Sequence, residues 1–291
     1  MKIVSIKGGL GNQMFQYAFA IALKKHFPKE DIFIDTSFFK GYGFRQFELE
    51  RIFNLTIPKA SFWHILKIYH PLYNYKIWRF LCNYLPPRKS LYKEKQMFTY
   101  FDDVFKIKND CYFLGSWQNE NYFKDYRFEV IDAFTIKTPL HYPSQQLTTS
   151  IEESNSVSVH VRRGDFLLYK EYKGICEVDY YKKAIDYIKS RVQLPIFYIF
   201  STDEDWCLDN IVPLCPDSYK IVNWNQDEYS YEDMVLMSKC KHNIIAHSSF
   251  SWWAAWLNKN VNKIVIAPQK WINSDNVTET PQLDSWVLID G

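Results

Sequence analysis

The second half of the chain alternates strand-like apolar runs with segments of helical spacing, and this alternation constrains the fold more than any other feature. The predicted strands lie in SVSVHVRRGD, LPIFYIFSTD, HNIIAHSS and KIVIAP. The predicted helices lie in VDYYKKAIDYIKSR, YSYEDMVLMSKCK and FSWWAAWLNK. Strands that alternate with helices predict a parallel, doubly wound sheet.

The first half begins in the same way, with the strand KIVSI, the helix MFQYAFAIALKKHF and the strand DIFID. Lys24, Lys25 and His26 suit the carboxyl end of that helix. The pattern then becomes less regular, because residues 62–89 mix aromatic and basic side chains. This composition favours a helical hairpin in the core. Two alternatives stay open, namely a segment that contacts a membrane surface and a segment that covers an acceptor site.

The polar stretch KTPLHYPSQQLTTSIEESNS separates the two halves, and we place a domain boundary within it. The 291 residues give room for two domains, at 1–145 and 146–291. The expected fold class is therefore α/β, with two domains whose parallel sheets face each other across a cleft.

Charge and cysteine content exclude several classes of protein. A formal net charge of +2 gives no global attraction to nucleic acid or lipid. The six cysteines form no CxxC pair and no cluster with metal-ligand spacing, which favours buried free thiols in a reducing compartment. The sequence shows no secretory signal and no apolar run of about 20 residues, so we expect a cytoplasmic protein.

The opening strand runs directly into the glycine-rich loop GGLGNQ, which precedes the first helix. A dinucleotide fingerprint needs a third glycine where Met14 stands, although Asp35, at the end of the next strand, resembles the acid that binds a ribose. Asn12 and Gln13 lie at the helix start, where amide side chains either cap the helix or bond a hydroxyl-rich ligand.

The motif HVRRGD is the strongest single signal for a site. His160 and Arg162 share one face of the predicted strand, and Arg163 and Asp165 follow where the strand ends. Ligands of open α/β sheets bind beyond the carboxyl ends of strands, and a pyrophosphate is the anion that suits two arginines. An internal salt bridge between arginine and aspartate is the alternative.

A second anion site is indicated where the strand of IIAHSSFSWWAAWL turns into its helix. Ser248, Ser249 and Ser251 stand at this turn, where free N–H groups, the helix dipole and hydroxyls attract an anion. Helix capping is the alternative, although one serine is enough for it. The tryptophans of this helix are expected in the core.

The stretch STDEDW ends another strand with acidic residues. Thr202 and Asp205 have the spacing of a capping box, as do Ser230 and Asp233 further along the chain. An acid at the strand end, Asp203, can instead hold a ribose or a base edge. Asp203 and Asp205 also spell D-x-D, a metal–diphosphate motif, so a metal-dependent enzyme stays open.

Four stretches resemble, in the family's own order, the α-1,2-fucosyltransferases of glycosyltransferase family 11: GGLGNQMFQYAFA, HVRRGD, IFSTDEDW and MSKCKHNIIAHSSFSWWAAWL. The resemblance spans nearly the whole chain. It implies the GT-B arrangement of two Rossmann-like domains, with the acceptor on the N-terminal side and GDP-fucose in the C-terminal domain. It also implies inverting transfer of L-fucose from GDP-β-L-fucose to the 2-hydroxyl of a terminal β-linked galactose, without metal or cofactor.

The resemblance further implies roles for single residues. Arg162 is expected at the β-phosphate, where it stabilises the departing GDP with support from Arg163. His160 is expected near the guanine, and Asp203 at the guanine or ribose. The other expected contacts are Ser248, Ser249 and Ser251 with the phosphates, and Asn12 and Gln13 with the transferred sugar.

The attacking hydroxyl must lose its proton, and Asp165 is the first candidate for the base. Glu171 and His160 are reserves, and the leaving phosphate is a further proton acceptor. The family commonly has Asn where this chain has His247 and Asp where it has Thr202. The contacts at these two positions therefore stay open.

Three other functions stay open beside the fucosyltransferase. One is a metal-dependent nucleotide-sugar transferase that uses Asp203 and Asp205, and another is an NAD(P)-binding oxidoreductase built on the first loop. The third is a glycan-binding protein that uses the aromatic residues. The acceptor, a galactose-terminated oligosaccharide or glycolipid, is expected to contact loops in region 40–120, where the sequence gives no readable code.

Overall fold

The computed structural model describes residues 1–40, 45–69, 88–215 and 218–291, without the side chain of Asp165. The chain divides into two compact units, Met1–Thr138 and Pro139–Gly291. Each unit contains one parallel sheet, so the predicted α/β class is confirmed. Cys82 and most of the aromatic, basic stretch at 62–89 lie outside the described residues.

The first unit contains a four-stranded sheet in the order β2-β1-β4-β3, and all neighbouring strands are parallel. Its strands are β1 Lys2–Ser5, β2 Ile32–Asp35, β3 Leu91–Lys93 and β4 Cys111–Leu114. Its helices of at least four residues are α1 Leu10–His26, α2 Leu49–Ile52, α3 Phe62–Ile68 and α4 Arg127–Ala133. Helix α1 buries nearly its whole surface up to Leu23 and ends in the three predicted basic residues before Pro28.

The second unit contains a six-stranded parallel sheet in the order β10-β9-β8-β5-β6-β7. Its strands are β5 Asn155–Val161, β6 Pro195–Ser201, β7 Tyr219–Val222, β8 His242–Ile244, β9 Val265–Pro268 and β10 Val287–Ile289. Its helices are α5 Tyr142–Glu153, α6 Val178–Lys189, α7 Glu204–Asn210, α8 Tyr231–Lys239 and α9 Ser249–Leu257. The predicted doubly wound sheet is thus confirmed.

The helices of the second unit bury the faces that their periodicity predicts. Helix α6 places Tyr181, Ala184, Ile185 and Ile188 in the core at three- and four-residue spacing. Helix α9 buries its three tryptophans, as expected.

The expected domain boundary, between 145 and 146, falls inside α5 and not in a linker. Pro143 occupies the first turn of this helix, where a missing N–H costs no intrahelical hydrogen bond. The helix buries Ser144, Leu147 and Ile151, so the polar residues of this stretch form its solvent side. The whole of α5 therefore belongs to the second unit.

Both predicted capping boxes are wrong. Ser230 makes no capping bond at α8, and Asp233 instead accepts a hydrogen bond of 2.7 Å from the Asn225 amide. At α7 the cap is Asp203, whose carboxylate accepts the N–H of Trp206 at 3.3 Å. Strand β6 ends at Ser201, so Thr202 lies in the connection between strand and helix, and Asp203 takes the N-cap position of α7.

Five of the six cysteines lie in described segments, and all five are free and buried, as expected. Within the described ranges, no helix is long and apolar enough to cross a membrane.

Candidate active site

The carboxyl edge of the second sheet gathers most of the predicted site residues. Strand β5 lies between β6 and β8 and is parallel to both. His160 and Arg162 come from the end of β5, Asp203 follows β6, and His247 follows β8. Since parallel strands end at the same edge, motifs far apart in the sequence meet there.

Arg162 stands beside two buried histidines, His160 and His247, which are 7% and 4% exposed. The pKa of His160 falls to about 3 and that of His247 to about 4, first because burial disfavours the charged ring and then because of the Arg162 charge. Both rings are therefore neutral at pH 7. Among the described residues, no group hydrogen-bonds His160 Nδ1 or His247 Nε2. Buried polar atoms without a protein partner indicate a place where a ligand can bond.

Aromatic rings form one wall beside Arg162 and His247. The rings of Phe166 and Tyr172 stack with centroids 4.5 Å apart, and Phe166 lies 5.0 Å from the His247 ring. The Arg162 guanidinium lies 5.1 Å from the Phe166 centroid. His247 Nδ1 lies 3.2 Å from Cys176 Sγ on its other side. Sequence reasoning missed this wall, although Phe166 directly follows the HVRRGD motif.

Arg163 and Asp203, both expected at the nucleotide, are bonded to each other. Arg163 Nε donates to Asp203 Oδ2 at 3.0 Å, and the guanidinium lies 4.2 Å from the Trp206 ring. The other oxygen of Asp203 caps α7. Arg163 thus forms the internal salt bridge that was the alternative to anion binding. Arg162 is the arginine that lies beside the two histidines.

We expect Asp203→Asn to cost about 1 kcal/mol of the free energy of unfolding and to lower activity far less than a change at Arg162. Asparagine still caps α7 but loses the ion pair with Arg163. This pair is partly exposed, since the Arg163 side chain is 17% exposed and the Asp203 side chain 35%. Urea denaturation of Asp203→Asn, of Arg163→Ala and of the double variant measures the interaction energy between the two side chains. A loss of activity as large as that at Arg162 would instead indicate that Asp203 contacts the nucleotide.

The three serines at the start of α9 have different surroundings. Ser248 Oγ accepts the N–H of Phe250 at 3.3 Å and caps the helix. Ser251 is fully buried, and its hydroxyl lies 3.4 Å from the carbonyls of Ala246 and Ser248. Ser249 is the first residue of α9 and is the most accessible of the three. Ser248 thus serves as the helix cap and Ser251 is packed in the core, while Ser249 keeps accessible surface at the first position of α9.

The expected bases and the D-x-D motif are only partly located. Asp165 lies in the short 3₁₀ segment Gly164–Leu168, and its side chain is outside the described residues. Glu171 and Asp205 are exposed. Within the segments that the structure describes, no three His, Cys, Asp or Glu side chains form a group that could hold a metal ion.

We expect the free energy of unfolding to fall as the pH drops from 6.5 to 4, and His247→Asn to flatten part of this slope. In that range the unfolded chain binds a proton at His247, whose usual pKa is 6.5, while the folded protein with a pKa of about 4 does not. The difference amounts to about 2–3 kcal/mol. Urea denaturation of both proteins at pH 7 and pH 4.5 measures it, and parallel slopes would contradict the assignment.

The glycine-rich loop at the carboxyl edge of the first sheet is held by amide side chains. Gly8 has φ +82°, and a side chain there would approach Asn12 Nδ2 to 2.8 Å. Asn12 is partly exposed, and its Oδ1 accepts a hydrogen bond of 2.8 Å from Gln118. Gly9 has a negative φ, so the left-handed conformation is needed at Gly8 and not at Gly9.

Gln13 and Asp35 are buried and have internal partners. Gln13 Nε2 donates to the carbonyls of Gly8 and Gln46 at 3.0 and 2.8 Å, and its Oε1 accepts the N–H of Glu48 at 3.0 Å. Gln13, which was expected to contact the transferred sugar, therefore links residues 46–48 to the glycine-rich loop. Asp35, the ribose-like acid, accepts from Tyr112 Oη at 2.7 Å and from a backbone N–H, so its carboxylate is structural.

Comparison with known proteins gives a consistent result. The model of the family described as glycosyl transferase family 11 matches residues 1–290. The chain is 32% identical to the O-antigen biosynthesis glycosyltransferase WbnK of Escherichia coli, over 97% of this chain and 98% of the relative. It is also 32% identical to an alpha-1,2-colitosyltransferase of Escherichia coli, over 99% and 98% of the two chains.

A solved structure supports the fold. The NodZ alpha-1,6-fucosyltransferase soaked with GDP-fucose superposes with a TM-score of 0.56 over 88% of this chain and 91% of that chain. The sequence identity is 16%, so this likeness concerns the fold alone. The predicted GT-B-like architecture is confirmed.

Proposed function

Because the chain belongs to glycosyltransferase family 11, a family of the fucosyltransferase type with a GDP-fucose donor, we propose that it is an α-1,2-fucosyltransferase. It moves L-fucose from GDP-β-L-fucose to the 2-hydroxyl of a terminal β-linked galactose, with inversion and without a metal ion. The acceptor is a galactose-terminated oligosaccharide or glycolipid.

The observation that carries this proposal is the group of Arg162, His160 and His247 at the carboxyl edge of the second sheet. One fixed positive charge lies beside two neutral imidazoles, and each imidazole presents a buried nitrogen that the described residues leave unbonded. A diphosphate fits the charge, and a nucleotide's polar atoms fit the ring nitrogens. Ser249 and the N-terminus of α9 add a second attraction for the phosphates.

The reaction assigns each group a step. The acceptor oxygen attacks C1 of fucose from the face opposite GDP, and the electron pair of the breaking C1–O bond moves to the β-phosphate. Arg162 stabilises the charge that grows there, which is the main electrostatic demand of the reaction. The hydroxyl proton passes to Asp165 in this proposal, or to the leaving phosphate. His160, with a pKa of about 3, is too weak a base for this step at neutral pH.

A second donor sugar has a specific argument. The colitosyltransferase relative is as similar to this chain as the glycosyltransferase WbnK is. Colitose is the 3-deoxy analogue of fucose, so both donors offer the same diphosphate and the same reacting carbon. A donor site built on phosphate contacts discriminates poorly between them.

Product analysis tests the proposal. The protein is incubated with lactose and either GDP-fucose or GDP-colitose, with EDTA in excess, and the trisaccharide is examined by NMR. We expect an α-linked fucose on O2 of galactose and a higher kcat/KM with GDP-fucose. A preference for GDP-colitose would favour the second donor, and a different linkage would contradict the proposed regiochemistry. Lactose binding without any product would favour a glycan-binding protein.

A further inference from the structure

The carboxyl edge of the first sheet holds two charged side chains that the proposed reaction has not yet used, Lys7 and Glu94. The sheet order places β4 between β1 and β3, so the ends of these three strands are neighbours. Lys7 follows β1 and Glu94 directly follows β3. Ligands of parallel sheets bind beyond these ends.

Glu94 is held in place by the turn that follows β4. Its two carboxylate oxygens accept the N–H groups of Ser116 and Trp117 at 2.7 and 3.0 Å. Trp117 has φ +55°, a conformation that this anchoring supports. A side chain on Gly115 would come within 2.6 Å of Glu94 Cβ, so only glycine lets the two strand ends approach this closely. Each oxygen of Glu94 still has a lone pair for another donor.

Lys7 is tied to the same turn through Gln16. The backbone N–H of Lys7 donates to Gln16 Oε1 at 2.8 Å, and Gln16 Nε2 donates to the Gly115 carbonyl at 3.3 Å. Lys7 is thus fixed on the glycine-rich loop, next to Gly8. Gln118 joins the same loop by its bond to Asn12, so the loop and the β4 turn form one hydrogen-bonded unit.

The two charges are largely desolvated and act on each other. Burial lowers the pKa of Lys7, and Glu94 opposes that shift. Burial raises the pKa of Glu94, and backbone hydrogen bonds and Lys7 oppose it. Both residues keep some accessible surface. Holding a carboxylate and an ammonium at a site of low polarity costs free energy, which a ligand that bonds both groups would offset.

We propose that Lys7 and Glu94 bind the acceptor sugar, with Glu94 accepting a hydrogen bond from one hydroxyl and Lys7 donating to its neighbour. A sugar hydroxyl both donates and accepts, so two adjacent hydroxyls of a neutral pyranose satisfy a carboxylate and an ammonium together. This inference rests on the proposed function and on the expectation that the first unit serves the acceptor. It adds two specificity-determining residues in the region beside Asn12.

The test uses Lys7→Gln and Glu94→Gln, with Lys108→Gln and Glu153→Gln as matched controls. Both control side chains are exposed, and Lys108 precedes β4, at the amino edge of the first sheet. Initial rates are measured against lactose at saturating GDP-fucose and against GDP-fucose at saturating lactose. Thermal melting checks that each variant is folded, because Glu94→Gln also disturbs the turn while Lys7→Gln leaves the hydrogen-bonding backbone of Lys7 in place.

We expect kcat/KM for lactose to fall roughly 10- to 100-fold in both variants, as for the loss of a charged hydrogen bond. The KM for GDP-fucose should change less than twofold, and the controls should match the wild type. A folded Lys7→Gln protein with unchanged kcat/KM for lactose, or with equal losses for both substrates, would overturn the inference. If the wild type itself shows no sugar-dependent GDP release, the proposed function fails and not merely the acceptor contacts.

Discussion

Replacing Arg162 by alanine lowers kcat/KM for fucosyl transfer by about 100- to 1,000-fold, the usual loss when one charged donor to a transition state is removed. In the proposed reaction the negative charge grows on the β-phosphate as C1–O breaks. Arg162 is the arginine near both His160 and His247, and its guanidinium also lies over Phe166. GDP binding should weaken by roughly 10- to 100-fold in the same variant. Steady-state kinetics and calorimetric titration with GDP measure the two effects.

Arg191→Ala is the matched control for Arg162→Ala. Arg191 is exposed on the second unit, where its guanidinium lies 3.6 Å from the Tyr187 ring. It precedes β6 and so lies at the amino edge of the sheet, opposite the carboxyl edge with Arg162. This variant should keep wild-type kinetics. An Arg162→Ala protein that is folded and transfers fucose at the wild-type rate would contradict the donor-site assignment.

Trp252→Ala should reduce the free energy of unfolding by about 3–5 kcal/mol. Trp252 is fully buried, and its Nε1 donates to the Pro281 carbonyl at 2.7 Å. Its ring packs against Trp253 and Trp286 with centroids 5.1 and 5.8 Å away. Alanine leaves a cavity and an unbonded carbonyl in the core that supports α9, the helix that begins at Ser249.

Trp63→Ala provides the control for Trp252→Ala, since the same side chain is removed from a position that is 72% exposed. Its effect should stay within about 0.5 kcal/mol. Chemical denaturation of both variants gives the comparison. A Trp252→Ala protein within about 1 kcal/mol of the wild type would show that the core around α9 repacks and that the tryptophan cluster is not the main support of this helix.

The sequence predicts the centre of the second sheet better than its edges. Strands β5, β6, β8 and β9 are buried along most of their length. The apolar residues of these strands and of the segments beside them give a readable pattern. Strands β7 and β10 lie at the two edges and are largely exposed or half-buried, so their pattern is weak. Neither was predicted. The stretch between the two halves contains the polar surface helix α5, and a helix of this kind resembles a linker in sequence.

The candidate site could be predicted where it depends on local spacing. His160 lies in β5 and Arg162 directly follows the strand, and their spacing of two residues is enough to predict that they share one face. The bond between Arg163 and Asp203 depends on the pairing of β5 with β6, and the proximity of Lys7 and Glu94 depends on the position of β4 between β1 and β3. Strand order of this kind is not visible in a single sequence, so these pairs emerged only from the structure.

The most direct test of the account is GDP release from GDP-fucose, measured with and without lactose in excess EDTA. We predict release that lactose stimulates and that EDTA does not reduce, because Arg162 and the start of α9 supply the charge stabilisation that a metal would otherwise give. Release that appears only after manganese is added would contradict the metal-free mechanism. The absence of lactose-stimulated release under both conditions would contradict the proposed transfer to a galactoside.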